Sequence, residues 1–366
     1  MIDHALLLRM LEDRYGIGGT VHKWFKSYLS DRTQTVIIQG VSLDSQPLNL
    51  GVPQGSVLGP VLFTLYSAPI AEIARKYGLR VHLYADDTQL YVSFSSGEAV
   101  VTVARVEQCE AEIKAWLVAH KLKLNDDKTV IMQIVSPRST ASLLDCHVLV
   151  GDDRISLSDA ATNLGVDLDQ HFNMQAQVKK VCRTAYTRLK NIAKIRSVLP
   201  QKTAETLVHA LITSKLDYCN ALMYGLPAST TTSLLQYVQN SAARVVMRTR
   251  KFDHITSVLR DLHWLQVEDR IIFKILMITY RALHGLAPDY ISDLVVPYVP
   301  PRSLRSANEN LLVVPSSRLR SFGDRRFAYA APTLWNSLPL KIRNAQSLTQ
   351  FKGLLKTHLF VKTYCQ

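Results

Sequence analysis

VHLYADDTQLYVSF, residues 81–94, decides the fold. Two β-rich runs flank an Asp-Asp centre, which predicts a hairpin with Asp86 and Asp87 at or near its turn. Adjacent carboxylates between apolar strands disfavour ionisation unless a cation sits between them. Hard divalent cations take oxygen ligands and keep substrate phosphates in their shell. Two such ions about 4 Å apart activate the attacking oxygen and stabilise the leaving one in phosphoryl transfer. For the dipeptide alone, a solvent-exposed turn is the simpler reading, because turns favour Asp.

Upstream, LGVPQGSVLGP (residues 50–60) reads as a loop that opens a buried helix over 61–76. Its glycines let the backbone approach a substrate closely, and Gln54 and Ser56 offer neutral hydrogen bonds. Before it, the pattern predicts helices over 4–14 and 20–29 and a strand over 34–39. Downstream, a helix over 98–120 carries Val103, Val106, Ile113, Trp116 and Leu117 on its apolar side. KLKLNDDKTVIMQIV (121–135) reads as a loop running into a strand, and 155–169 is strand-rich. Past residue 170 the pattern changes to amphipathic helices at about 171–196, 202–222, 230–250 and 267–284, with a last one at about 347–360. The fold class is α+β, an α+β half followed by an all-helical half.

Apolar residues make up 47% of the 366 and charged residues 20%, which excludes a disordered chain. Residues 1–160 hold 15 basic and 18 acidic side chains, net −3; residues 161–366 hold 28 and 12, net +16. This asymmetry points to a polyanionic partner, with nucleic acid ahead of an anionic membrane. Arg244, Arg248 and Lys251 follow i, i+4, i+7 spacing, so one helix face would present three cations to phosphates. A solvated charged face is the bland alternative. The five cysteines, Cys109, Cys146, Cys182, Cys219 and Cys365, form no CxxC pair, so neither a disulfide framework nor a zinc module is expected. MIDHALLLRML does not read as a secretory signal, and prolines and glycines interrupt the uncharged stretch 45–71, so no membrane partner is expected.

The order of these segments resembles the reverse transcriptases of non-LTR (LINE-type) retrotransposons. GVPQGSVLGPVLF and YADDTQLY resemble the family's two most specific signatures; LKLNDDKT and NLGVDLD resemble its next two blocks. The resemblance implies a partial right-hand polymerase palm over 1–170, an antiparallel sheet with packed helices. A basic helical thumb and C-terminal region would follow over 171–366. Asp86 and Asp87 would be catalytic and metal-binding, Mg²⁺ being the expected ion and Mn²⁺ a second one. Gln54, Gly55, Tyr84, Ala85 and Lys128 would contact nucleotide, template or primer end, and Leu164 and Gly165 would form the primer grip. The partners implied are an RNA template, a DNA primer and deoxynucleoside triphosphates, in an intracellular protein of nucleus and cytoplasm.

The family's first catalytic Asp would lie a few residues before Met1; Asp3 reads instead as a helix N-cap. Fingers and a CCHC knuckle have no match. The expectation is therefore an N-terminally truncated fragment that is inactive by itself, or else a non-catalytic nucleic-acid-binding remnant.

Overall fold

The computed structural model describes residues 2–53, 55–136, 147–151, 153–228, 232–300, 309–317 and 320–365. They form two compact units, Met1–Asp159 and Ala160–Gln366. The division falls before residue 170, so the strands at 160–169 sort with the helical unit.

In the first unit, α1 (His4–Asp13) is capped by Asp3, whose carboxylate accepts from the Leu6 N–H at 3.0 Å. α2 (Gly19–Leu29) follows. Leu7, Leu11, Leu29, Leu62 and Tyr66 form one small core. The strand expected over 34–39 is instead two fragments of an exposed arm: β1 (Thr33–Gln34) pairs with β4 (Gln46–Pro47), and β2 (Ile37–Ile38) with β3 (Val41–Ser42).

The single helix expected over 61–76 is two, α3 (Leu58–Ser67) and α4 (Pro69–Lys76). Pro69 has no N–H to continue the ladder and fits best at a first helical position, where it stands. Leu62, Tyr66, Ile70 and Ala74 are buried along this pair, while Val61 faces solvent. β5 (Arg80–Tyr84) and β6 (Asp87–Tyr91) form the expected hairpin. α5 (Ala99–Ala119) follows a Ser95–Glu98 capping box. No strand forms over 130–135; one backbone tie there is the Ser158 N–H donating to the Ile131 carbonyl at 2.8 Å. β7 (His147–Val150) and β8 (Asp153–Ser156) pair antiparallel beside α5, whose Glu107 and Glu110 accept from the Leu149 and Gly151 N–H groups.

The second unit opens with the antiparallel pair β9 (Ala160–Asn163) and β10 (Val166–Asp169). Its helices are α6 (Gln175–Ile195), α7 (Gln201–Val208), α8 (Ser214–Asp217), α9 (Thr232–Met247), α10 (Ile255–Asp261), α11 (Val267–Leu283), α12 (Asp289–Ser292), α13 (Arg320–Gly323), α14 (Phe327–Asn336), α15 (Leu340–Arg343) and α16 (Leu348–Tyr364). A π-helical turn, His209–Thr213, joins α7 to α8 inside the helix expected over 202–222. α6, α7, α9, α10 and the start of α11 enclose one core around Val178, Leu189, Ile212, Leu235, Val246 and Ile271. The end of α11 with α14 and α16 encloses another, where Phe351 stacks on Tyr280 at 4.4 Å and Trp335 at 5.6 Å.

Two arginines lock α6 to α9. Arg196 is buried and donates to the carbonyls of Leu199, Val245 and Val246 at 2.6–2.9 Å. Arg248 returns the favour, donating to the carbonyls of Arg196 and Ser197. Arg196 thus satisfies carbonyls in the last turn of α9, and Arg248 adds a donor to the Arg196 carbonyl, which also accepts from the Leu199 N–H at 3.4 Å. Burial and the nearby Arg248 charge push the Arg196 pKa down.

Candidate active site

The β5–β6 hairpin is closed by the pair Tyr84↔Asp87, so Ala85-Asp86 is its two-residue turn. Ala85 is left-handed, with φ +52°. A Cβ in that region costs roughly 1–2 kcal/mol, so the turn holds a conformation that glycine would take more easily. Opposed residues share a face in an antiparallel pair. Val81, Leu83 and Leu90 pack against a buried cluster of Ile70 and Ala74 of α4, Leu79, and Cys109, Ile113 and Leu117 of α5. The opposite face carries Arg80, His82, Tyr84, Asp87, Gln89 and Tyr91.

Asp86 and Asp87 are exposed, and neither carboxylate has a hydrogen-bond or ion-pair partner among the described residues. Tyr84 is 66% exposed beside them. Further along the same face His82 stacks on Tyr91 at 5.4 Å, and the Tyr91 hydroxyl hydrogen-bonds with His82 Nε2 at 3.1 Å. Strict alternation from Asp87 through Gln89 to Tyr91 could have revealed these two rings in the sequence; the acidic pair drew attention away from them.

The loop before α3 is tied to the N-terminus. The Gly51 N–H donates to the Ile2 carbonyl at 2.6 Å, and His4 Nε2 hydrogen-bonds with the Gly51 carbonyl at 2.6 Å. Gly55 is left-handed, φ +79°, with open space where a side chain would be. Ser56 Oγ accepts from the Gly59 N–H at 3.0 Å, so its lone pair caps α3. Gln54 lies outside the described residues. Lys128 is exposed and ends a short 3₁₀ turn, Asp126–Lys128, after α5. Tyr66 of α3 ties this frame together: fully buried, it donates to the His120 carbonyl at the end of α5 at 2.6 Å.

Leu164 and Gly165 form the two-residue turn between β9 and β10, both left-handed with φ +46° and +80°. Tyr218 donates to the Leu164 carbonyl at 2.6 Å. The Arg244, Arg248 and Lys251 face is a correction. α9 stops at Met247, Arg248 turns left-handed at φ +55°, and its guanidinium caps α6. Arg244 donates to the Asp253 carbonyl at 3.2 Å. The three cations therefore share no helix face, because α9 ends before Arg248 and Lys251 and the Arg248 guanidinium goes to carbonyls at the end of α6.

Two adjacent carboxylates at an exposed turn are hard oxygen donors of the kind Mg²⁺ or Mn²⁺ takes. Among the described residues, no group of three or more His, Cys, Asp or Glu is placed to hold an ion. The donor set within them is thus partial.

Residues 2–168 match the family described as reverse transcriptase (RNA-dependent DNA polymerase). The chain is 26% identical over 260 residues to a protein named as a probable RNA-directed DNA polymerase from transposon BS of Drosophila melanogaster, covering 67% of this chain and 28% of that one. It is 21% identical over 255 residues to the RNA-directed DNA polymerase from the mobile element jockey of the same species, covering 67% and 27%. A protein named for transposon X-element is 26% identical over 255 residues, with the same coverage. The chain thus spans a little over a quarter of the length of these relatives. Residues 2–168 are thus similar to the reverse transcriptase family, and about two thirds of the chain is similar to proteins named as RNA-directed DNA polymerases of transposons.

Proposed function

We propose that this chain carries the core of the palm of an RNA-directed DNA polymerase and a basic helical region behind it. One observation carries the reading: an Asp86-Asp87 pair, unpartnered among the described residues, sits at the tip of a two-residue hairpin turn, inside the segment that matches the family. Asp86 and Asp87 act as the catalytic carboxylates, with oxygens directed to Mg²⁺ or Mn²⁺. When bound, such an ion supplies charge stabilisation and activation of the attacking hydroxyl. Tyr84 and Ala85 stand beside the primer terminus, and Gln54, Gly55 and Lys128 contact nucleotide and template. The Leu164-Gly165 turn, fixed by Tyr218, serves as the primer grip. The substrates are an RNA template, a DNA primer and deoxynucleoside triphosphates, and the protein works in cytoplasm and nucleus.

The chain's own contribution is positional. Strand pairing and the apolar underside fix where the two carboxylates point, and placement within about 1 Å matters to rate. The partial donor set favours a second reading, a nucleic-acid-binding remnant without catalysis.

Primer extension on an RNA template with Mg²⁺ or Mn²⁺ separates the two. The unfused chain should not extend, whereas its fusion to the preceding portion of a longer relative should. Asp86→Ala should reduce that activity by several orders of magnitude, at about 1.4 kcal/mol per tenfold. A fusion that extends equally well with Asp86→Ala removes the assignment.

A further inference from the structure

A cavity of about 780 Å³ opens in the second unit between the α7–α8 segment, α11 and α16. Lys274 and Arg281 of α11 and Lys352 and Lys356 of α16 line it. All four are exposed, and none has a carboxylate within ion-pair distance among the described residues. The acids in the wall are already engaged. Asp217 is held by both arms of Arg270, and Glu205 accepts from the Trp264 indole N–H at 3.3 Å and faces His209 at 3.5 Å. The lining therefore keeps an uncompensated positive charge, and attracts anions.

Asn220 adds a second, independent signal. It lines the same cavity, is 2% exposed, and its Oδ1 has no hydrogen-bond partner among the described residues. A buried, unpaired carboxamide oxygen costs roughly 1–3 kcal/mol, a cost that a ligand N–H or O–H would relieve. Required together are an anionic group for the cations and a donor for Asn220. A nucleotide has both, in its phosphate and in its base or ribose. Heparin-like sulfates and lipid phosphates meet the first demand readily, but do not explain an oxygen hidden behind it. The cavity is also of the size that holds one nucleotide-scale ligand.

We propose that this cavity is a nucleic-acid site separate from the copying site, taking a nucleotide of a single strand with its phosphate on Lys274, Arg281, Lys352 and Lys356 and a base or ribose donor on Asn220. It stands on residues beyond the 2–168 segment that matches the family and needs none of the roles given to Asp86 or Asp87.

The test is fluorescence anisotropy of the full chain with a labelled single-stranded RNA of about 12 nucleotides, a length within the usual range for single-strand sites. Lys352→Glu/Lys356→Glu should weaken binding by at least about tenfold. The charge-matched control Lys190→Glu/Lys194→Glu, on exposed positions of α6, should weaken it far less. Asn220→Ala should weaken RNA binding and leave heparin binding unchanged. Equal losses in the two charge-reversal variants would reduce the site to diffuse electrostatics and overturn the proposal. So would an Asn220→Ala chain, folded by circular dichroism, with unaltered RNA affinity. Loss of binding to phosphatidylserine vesicles with RNA affinity intact in Lys352→Glu/Lys356→Glu would also overturn it, in favour of a lipid headgroup.

Discussion

The two units solve the burial problem differently. The second unit surrounds large side chains on all sides: Trp335, Tyr280, Phe351 and Leu259 are at most 1% exposed. The first unit buries Leu7, Leu11, Leu62 and Tyr66, yet leaves Val36, Ile37, Ile38, Val41 and Leu43 each more than half exposed on or beside two-residue strands. Charge divides the same way, net −3 against +16 on either side of residue 160. The carboxylates thus stand on a scaffold with thin cores, while the cations are mounted on a well-buried one. Stability and chemistry are concentrated in different places, and this contrast can be tested directly.

The largest effect is expected in the second unit. Phe351→Ala removes a ring stacked between Tyr280 and Trp335 and should cost about 3–5 kcal/mol in urea unfolding. Ile37→Thr on the exposed arm should change the same measurement by less than about 0.5 kcal/mol. Similar values for the two would erase the contrast.

Arg196→Ala should come next. It leaves three carbonyls without a donor, and hydrogen bonds to charged groups contribute about 1.5–3 kcal/mol each before relaxation. A loss near 3 kcal/mol is expected, and Arg196→Lys should recover little, since an ammonium lacks the planar fork.

Ala85→Gly should go the other way. Relief of the left-handed Cβ should stabilise the hairpin by about 1 kcal/mol, visible as slower exchange of the β5–β6 amides. Faster exchange would mean that the turn is held by something other than local backbone preference.

The smallest effect is electrostatic. The Asp167 carboxyl is held below its ordinary value, first by Lys180 at 2.7 Å and also by Thr162. A carboxyl depressed in the fold contributes stability above its unfolded value and loses it as pH falls through the folded one. Glu112, held low by Lys76 and Tyr77, behaves likewise in the first unit. Both units should therefore lose a little stability below about pH 4. Lys180→Met should flatten that loss in the second unit alone, which thermal melts across pH 3 to 6 would detect as order-of-magnitude windows.

Much of this was legible in the chain. Period-two alternation around Asp86-Asp87 located the hairpin, and helical periodicity located α5, α6, α11 and α16 to within a few residues. Asp3 was legible as an N-cap because a carboxylate one residue before an apolar run has little else to do. Two of the failures share a cause. The break at Ala68 follows from Pro69 and was open to a local reading, but the end of α9 at Met247 and the missing strand over 130–135 depend on which distant groups claim the backbone. Helical spacing from Arg244 to Lys251 looked like a phosphate-binding face, but Arg248 had carbonyls 51 and 52 residues away to cap. α10 and α14 went unread: α10 is short, and α14 contains Pro332, which sequence rules treat as a stop. The cavity cations come from two helices separated by the length of a small domain, so no local pattern could unite them with Asn220.

The crossed arginines also set an order of assembly. Arg196 has its acceptors 49 and 50 residues later in the chain. At about 5–20 residues per second of synthesis, roughly 3 to 10 s pass between its appearance and theirs. Throughout that interval the end of α6 has a hydrated charge that opposes collapse onto unrelated apolar surface. Once α9 arrives, the Arg196 guanidinium exchanges water for the Val245 and Val246 carbonyls, while Arg248 remains exposed. The charge of Arg196 is therefore satisfied in full only by residues made about 50 positions after it.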